Sequence, residues 1–385
     1  MNPPYNPNYP SIDDLREKAR RRMPRFAFEY LDGGCNEDVN LIKNTAEIRK
    51  VELVPRYLGS YKGADLSTEL FGTVYDAPFG VSPMGLQGML WPRSAEILAE
   101  AAARHNVPFI LSTVTTASIE DIARITDGKA WFQLYHPADA SLRDDILLRL
   151  ESRGYNVHVL LGDVPSFGRR QRDIRNGLSM PPRMTRKNIL EILTHPRWAW
   201  ETLRAGTPQF ATMRPYMKGG MSMKTLGTFM SQSFSGRLDE ERIKPIRDRW
   251  KGKLVLKGVA GESDAEMAAR LGFDGIIVSN HGGRQIDVGE SAVHSLQALA
   301  PKFKGRMKVM IDSGIRSGAD VARVVASSAD FTFLGRTFMY AVAALGKEGG
   351  DHAMTILKTQ FRQVMEQVGC ERPDGLVNHL RSAHG

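Results

Sequence analysis

The sequence predicts an α/β protein, a (β/α)8 TIM barrel, on three observations. Eight short apolar runs recur from about residue 77 onward, amphipathic helical patterns separate several of them, and polar or ionisable residues end nearly every run. Runs this short and continuously apolar, bounded by Gly, Pro and polar residues, suit parallel strands buried on both faces. Eight β–α units in succession argue for a closed barrel over an open sheet.

The runs are, in order, APFGVSPMG (77–85), VPFILST (107–113), AWFQLYH (130–136), VHVLLGD (157–163), KLVLKGV (253–259), GIIVSN (275–280), KVMIDSG (308–314) and FTFLGR (331–336). Between them, SAEILAEAAARHN (94–106), SDAEMAARLG (263–272) and ADVARVVASS (319–328) open near Ser, Asp or Gly and repeat apolar residues at helical spacing. Residues 11–60 read as an N-terminal helical extension and 351–369 as an amphipathic helix on the outside. Residues 164–236 are too long for an ordinary loop and read as partial helices with a lid over the barrel mouth. The whole chain, 1–385, reads as one domain.

Composition narrows the partners. With 42% hydrophobic and 25% charged residues over 385 positions, the chain can bury a large core. No apolar run reaches the roughly 20 residues of a membrane-spanning helix. The opening MNPPYNPNYPSIDDL lacks the apolar region of a secretory signal, so a cytoplasmic location is expected. Two cysteines, Cys35 and Cys370, cannot build a disulfide framework or a four-ligand zinc site, and no metal is expected. The net charge of +9 allows a nucleic acid, an acidic membrane surface or an anionic small molecule. The basic run Arg16 to Arg22 follows Ser11, Asp13 and Asp14, the charge order of a solvated helix, and nucleic-acid binding is not expected.

Active sites of such barrels lie at the C-terminal strand ends. Those ends carry Pro83 and Gly85, Ser112, Gln133 and Tyr135, Asp163, Lys257, His281 with Arg284, Asp312 with Arg316, and Gly335 with Arg336. The turns Asp312–Gly318 and Leu334–Arg336 each precede a helix on the last two strands, which suits a cofactor phosphate. The lesser alternative is tight helix starts whose arginines pair with nearby acids. Lys257 reads as a salt-bridge partner, a Schiff-base nucleophile or a fixed cation beside a flavin. Asp163 can orient His281 and stabilise its imidazolium, while Arg170 and Arg284 suit a substrate carboxylate. Tyr30 and Tyr135 can add hydroxyls or simply pack.

The motif SNHGGRQ (279–285), with FQLY, GRRxxDIRNG, LKG, DSGIRSG and LGR in that order, resembles the FMN-dependent α-hydroxy-acid oxidases and dehydrogenases over about residues 11–370. SPMGLQGMLWPRSAE resembles the mandelate and bacterial lactate dehydrogenase branch most. The resemblance implies oxidation of an L-2-hydroxy acid to the 2-oxo acid, with His281 as base and Asp163 as its partner. It places the substrate carboxylate on Arg170, Arg284 and Tyr30, and its hydroxyl or emerging carbonyl on Tyr135. FMN would meet Pro83, Met84, Gly85, Ser112, Gln133, Lys257 and Ser279 around its ring and ribityl chain. Asp312, Gly314, Arg316, Gly335 and Arg336 would hold its ribityl and phosphate ends. The acceptor that reoxidises it could be oxygen, a quinone or a cytochrome. A tetramer is expected by the same resemblance.

Leu161 stands where that family commonly has threonine, Ser313 where glycine is common and Met84 where threonine is frequent. Val114 stands where some members have a large aromatic residue, and the smaller side chain favours a lactate- or mandelate-like substrate over glycolate. The stretch 189–206, with Trp198 and Trp200 among basic residues, suits either a peripheral contact with the inner face of a membrane or a lid or oligomer contact. Alternative readings are an FMN barrel that isomerises or reduces a phosphorylated substrate, and a flavin-binding protein without activity.

Overall fold

The barrel closes on a glycine. In the computed structural model, which describes residues 5–166, 168–178, 184–206, 210–217, 229 and 236–381, a two-stranded hairpin precedes eight parallel strands. The hairpin is β1 (Thr68–Leu70) and β2 (Thr73–Tyr75). The barrel strands are β3 (Phe79–Val81), β4 (Ile110–Ser112), β5 (Trp131–Leu134), β6 (Val157–Leu161), β7 (Lys253–Val259), β8 (Gly275–Val278), β9 (Lys308–Ile311) and β10 (Phe331–Leu334). Each falls within a predicted run. The sheet order is β3-β10-β9-β8-β7-β6-β5-β4, so the seam lies between β3 and β4. There a bridge pairs Val81 with Phe109, and Val81 N–H donates to Pro108 O at 2.8 Å. A Cβ on Gly80 would lie 2.6 Å from Pro108 O, so only glycine allows this approach.

Side-chain alternation along the strands sorts the core into two parts. Ile110, Trp131, Val157, Val159, Val255, Ile277, Met310, Phe331 and Phe333 pack together inside the barrel. Their neighbours Leu111, Phe132, Leu160, Leu256, Ile276 and Val309 face outward against the helices. The hairpin, which the sequence reading missed, inserts Leu70, Phe71 and Tyr75 into the inner cluster and closes the N-terminal end. Phe71 comes within 3.1 Å of where a Cβ on Gly275 would sit, at the start of β8.

Helices Ile12–Arg22, Arg25–Asp32 and Val39–Arg49 form the N-terminal extension, and residues 50–60 continue without helix. Ser11 and Asp14 form a capping box on the first helix. Its arginines find partners within the fold: Arg16 on Asp32, Arg20 and Arg21 on Glu17, Arg22 on Ala344 O. Helix Gly349–Val368 covers the outside, as expected. Within 164–236, helices Gln171–Arg175, Arg186–Leu193 and Pro196–Ala205 lie beside the mouth. Most of the glycine- and methionine-rich stretch 216–236, expected as a lid, lies outside the described residues.

Trp198 departs from the expected contact face. It is buried, donates from Nε1 to Leu90 O at 2.8 Å and meets Phe26 edge-on, so only Trp200 is exposed, at 65%. An indole N–H that finds a buried acceptor gains more inside than at the surface.

Candidate active site

The inward positions continue by parity into the site. Two residues beyond the apolar inner layer, the strands present Ser112, Gln133, Leu161, Lys257, Ser279, Asp312 and Gly335. Leu161 is the apolar exception in this ring. Lys257 Nζ lies 3.0 Å from Asp312 Oδ2 and donates to Ser279 Oγ at 2.9 Å, while Ser82 Oγ donates to the same Asp312 oxygen at 3.1 Å. Burial alone would push the lysine towards the neutral amine, but Asp312 and Asp163 outweigh it and its pKa is raised. A Schiff-base nucleophile needs the opposite shift. Lys257 is a fixed cation.

His281 follows β8 in a left-handed conformation, φ 58. Its Nδ1 lies 3.1 Å from Asp163 Oδ1. Burial would raise the Asp163 pKa, yet the neighbouring His281 and Lys257 hold it below the ordinary carboxylate value. The carboxylate therefore stays charged, beside the ring it can orient. Gly258 lets Asp163 approach: at φ 99, a Cβ there would strike the Asp163 side chain at 2.5 Å.

Two guanidiniums lie within cation–π range of one ring. Arg284 stands 4.8 Å and Arg170 5.1 Å from the Tyr30 ring centre. Arg284 Nη1 donates to Tyr30 O and Gly33 O, at 2.7 and 2.9 Å. Burial, then repulsion from Arg170, lowers the Arg284 pKa. Asp173, 3.3 Å from Arg170, supplies one counter-charge for the two cations, and its own affinity for a proton is raised by burial. The pair has room for one more anion. Tyr135, whose phenol is kept protonated by burial and by Asp163, lines the same space.

These groups converge on a cavity of about 440 Å³ that holds Tyr30, Pro83, Met84, Gly85, Val114, Tyr135, Arg170, Lys257, His281, Arg284, Asp312, Gly314, Arg316, Gly335 and Arg336 in its lining. Asp163, Ser112, Gln133 and Ser279 do not line it: Asp163 stands behind His281, and the other three are buried in the ring beneath. Arg336 was expected at a phosphate. Its guanidinium donates to Leu31 O, Gly282 O and Gly33 O at 2.8–2.9 Å, and burial, with Arg284 and Arg316, brings its pKa down to about 9. Sequence reasoning missed Gln87, buried in the lining with neither amide heteroatom bonded among the described residues. It also missed Gln285, whose amide ties Asp163 O, Ser166 O and Gly168 N to the His281 turn. Both stand inside the motifs SPMGLQGMLWPRSAE and SNHGGRQ, which give neither one a role.

The profile of the FMN-dependent dehydrogenases matches residues 19–382. The chain belongs to this family. It is similar to L-lactate dehydrogenase of Xanthomonas campestris pv. campestris (strain 8004), 38% identical over 360 residues that cover 93% of both chains. It is equally similar, at 38% over 359 residues covering 93% and 94%, to L-lactate dehydrogenase of Ectopseudomonas mendocina (strain ymp). Among solved structures, monotopic membrane (S)-mandelate dehydrogenase superposes with a TM-score of 0.91 at 33% identity, covering 97% of this chain and 99% of that one. Mandelate oxidase gives 0.83 at 29%, covering 97% and 98%. The barrel expected from the strand count is thus borne out, and this FMN-dependent dehydrogenase is an oxidoreductase with FMN as its cofactor.

The site fits that cofactor. Gln133 Nε2 is a buried donor without a partner among the described residues, and the helix Arg336–Leu345 starts at Gly335 with no side-chain cap on its N–H groups. Gly314, at φ 88, brings a second helix-start turn against Asn44, where a Cβ would collide at 2.7 Å. The comparisons lend no support to the isomerase or the inactive alternative.

Proposed function

We propose that this FMN-dependent dehydrogenase oxidises L-2-hydroxy acids to 2-oxo acids with His281 as base. The observation that carries it is a histidine that lines one cavity with two under-compensated arginines and is backed, at 3.1 Å, by a charged carboxylate. Arg170 and Arg284 grip the substrate carboxylate, with Tyr30 beside them, and fix the α-carbon next to His281. His281 takes a proton from the α-carbon or from the hydroxyl, and Asp163 stabilises the imidazolium that results. Tyr135 donates to the substrate oxygen. FMN, when bound, supplies the acceptor for the electron pair, and Pro83, Met84, Gly85, Ser112, Gln133, Lys257 and Ser279 would hold its ring and ribityl chain. Asp312, Gly314, Arg316, Gly335 and Arg336 would hold the ribityl and phosphate ends. Met84 and Val114 line the wall beside the α-carbon, and the small Val114 supports a lactate- or mandelate-like side chain.

His281→Ala should abolish reduction of the bound cofactor by L-lactate and L-mandelate under anaerobic conditions while FMN stays bound. Normal reduction by that variant would remove the assignment. Repeating the screen with oxygen, a quinone and a cytochrome identifies the acceptor.

The stretch 189–206 is proposed as a peripheral contact with the inner face of a membrane. Leu190, Leu193, Trp200 and Leu203 are exposed there, the last at 75%, beside Arg197 and Arg204, and the similar mandelate dehydrogenase is monotopic. No described helix is long and apolar enough to cross a bilayer. Leu193→Asp with Leu203→Asp should abolish flotation with anionic vesicles; unchanged flotation removes the proposal. A homo-tetramer is proposed as well, supported by the exposed Val39, Ile42 and Val288, and a monomer in light scattering would refute it.

A further inference from the structure

The turn that carries His281 is held in an unfavourable backbone conformation, and its N–H groups show by what. His281 at φ 58 is followed by Gly282 at φ 64 and Gly283 at φ 73. A histidine there persists when its surroundings over-determine it. His281 N–H donates to Ser279 Oγ at 3.0 Å, and Gly282 N–H donates to Ser313 Oγ at 2.9 Å. Both hydroxyls lead to the same ion pair. Lys257 Nζ donates to Ser279 Oγ, and Ser313 Oγ donates to Asp312 Oδ1 at 2.9 Å, while Lys257 and Asp312 Oδ2 meet at 3.0 Å. A closed circuit therefore runs from the His281 amide through Ser279, Lys257, Asp312 and Ser313 to the Gly282 amide.

Ser313 itself sits at φ 77, where glycine is the residue without steric cost. Its hydroxyl is saturated: the proton goes to Asp312, and its oxygen takes Gly282 N–H and, at 3.4 Å, Asn280 N–H. From this geometry we infer that Ser313 is a positioning residue. Its side chain locks the His281 turn to the Lys257–Asp312 pair, so that the base and the fixed cation keep one spacing. The inference rests on the reading of His281 as base.

Ser313→Gly tests it, because glycine accepts this backbone at φ 77 while the CH2OH side chain, and with it the tether, is lost. Amide hydrogen exchange over 279–284 should speed up by about tenfold or more in the variant, with or without FMN. The limiting rate of substrate-dependent reduction should fall about ten- to a hundredfold, since small misplacements of a base cost that much. Affinity for a 2-oxo acid should stay within about twofold, because the arginines are untouched. Wild-type exchange in 279–284, or a wild-type reduction rate, overturns the inference. His281→Ala run in parallel separates the two failures: normal reduction in that variant sinks the base assignment, while the exchange data still report on the tether.

Discussion

Asp163→Asn isolates charge from geometry at the proposed base. Asparagine keeps an oxygen at the position 3.1 Å from His281 Nδ1, so the ring can keep its orientation. What disappears is the negative charge that meets the imidazolium as it forms. The carboxylate is only 10% exposed, and its Oδ2 has no partner among the described residues, so little solvent screens the loss. Breaking a buried charge pair by neutralising one member costs about 3–5 kcal/mol. At roughly 1.4 kcal/mol per decade, that is a fall of about two to nearly four decades in the reduction step. Anaerobic stopped-flow bleaching of the bound FMN by saturating L-lactate or L-mandelate measures it, with FMN content and 2-oxo acid affinity as controls. A limiting rate within about tenfold of wild type, with FMN fully bound, would refute a charge role for Asp163.

Arg170→Met should raise KM for the hydroxy acid about ten- to a hundredfold, the worth of a charge-assisted hydrogen bond, with a smaller change in kcat; steady-state kinetics with a fixed artificial acceptor checks it. His158 gives a pH prediction outside the site. Its ring is fully buried, stacked 6.2 Å from Phe132 with neither nitrogen bonded among the described residues, and burial brings its pKa down from 6.5 to about 3. The unfolded chain takes up this proton as pH falls through about 6.5, and the folded protein does not until about 3, so stability drops across that window, by about 2 kcal/mol between pH 8 and pH 5. His158→Phe should remove that slope from urea midpoints measured at the two pH values; an unchanged slope would show that the ring is not the source.

Much of this was legible because a barrel strand obeys a period of two. Once Trp131 is inside, Gln133 must be, and the same step leads from Val255 to Lys257 and from Met310 to Asp312. Less legible was what depends on partners distant in sequence. The hairpin at 68–75 has strands of three residues, below the length at which alternation is visible. Helical spacing around Trp198 could not say that Leu90 O waits for its N–H. Arg336 reads as a free cation in LGR, whereas three of its five N–H donors go to backbone carbonyls, two of them on the N-terminal extension some 300 residues away. Ser313 reads as a departure from a family preference, yet its hydroxyl links Asp312 to Gly282.

The seam at Gly80 gives the barrel an unequal wall. The other joints are ladders of paired strands, whereas β3 and β4 meet through a single bridge beside a proline. The residues just past that joint, Met84 and Val114, face the proposed substrate side chain, and Leu86 N–H to Val114 O at 2.7 Å is the bond that spans them. This flank has no ladder joining its two strands, while the proposed base and the fixed cation stand on the continuous arc from β6 to β9. The scaffold thus puts the residues proposed to choose the acid and the residue proposed to move its proton on unequal parts of the wall, one flank open to drift and the other tied on both sides.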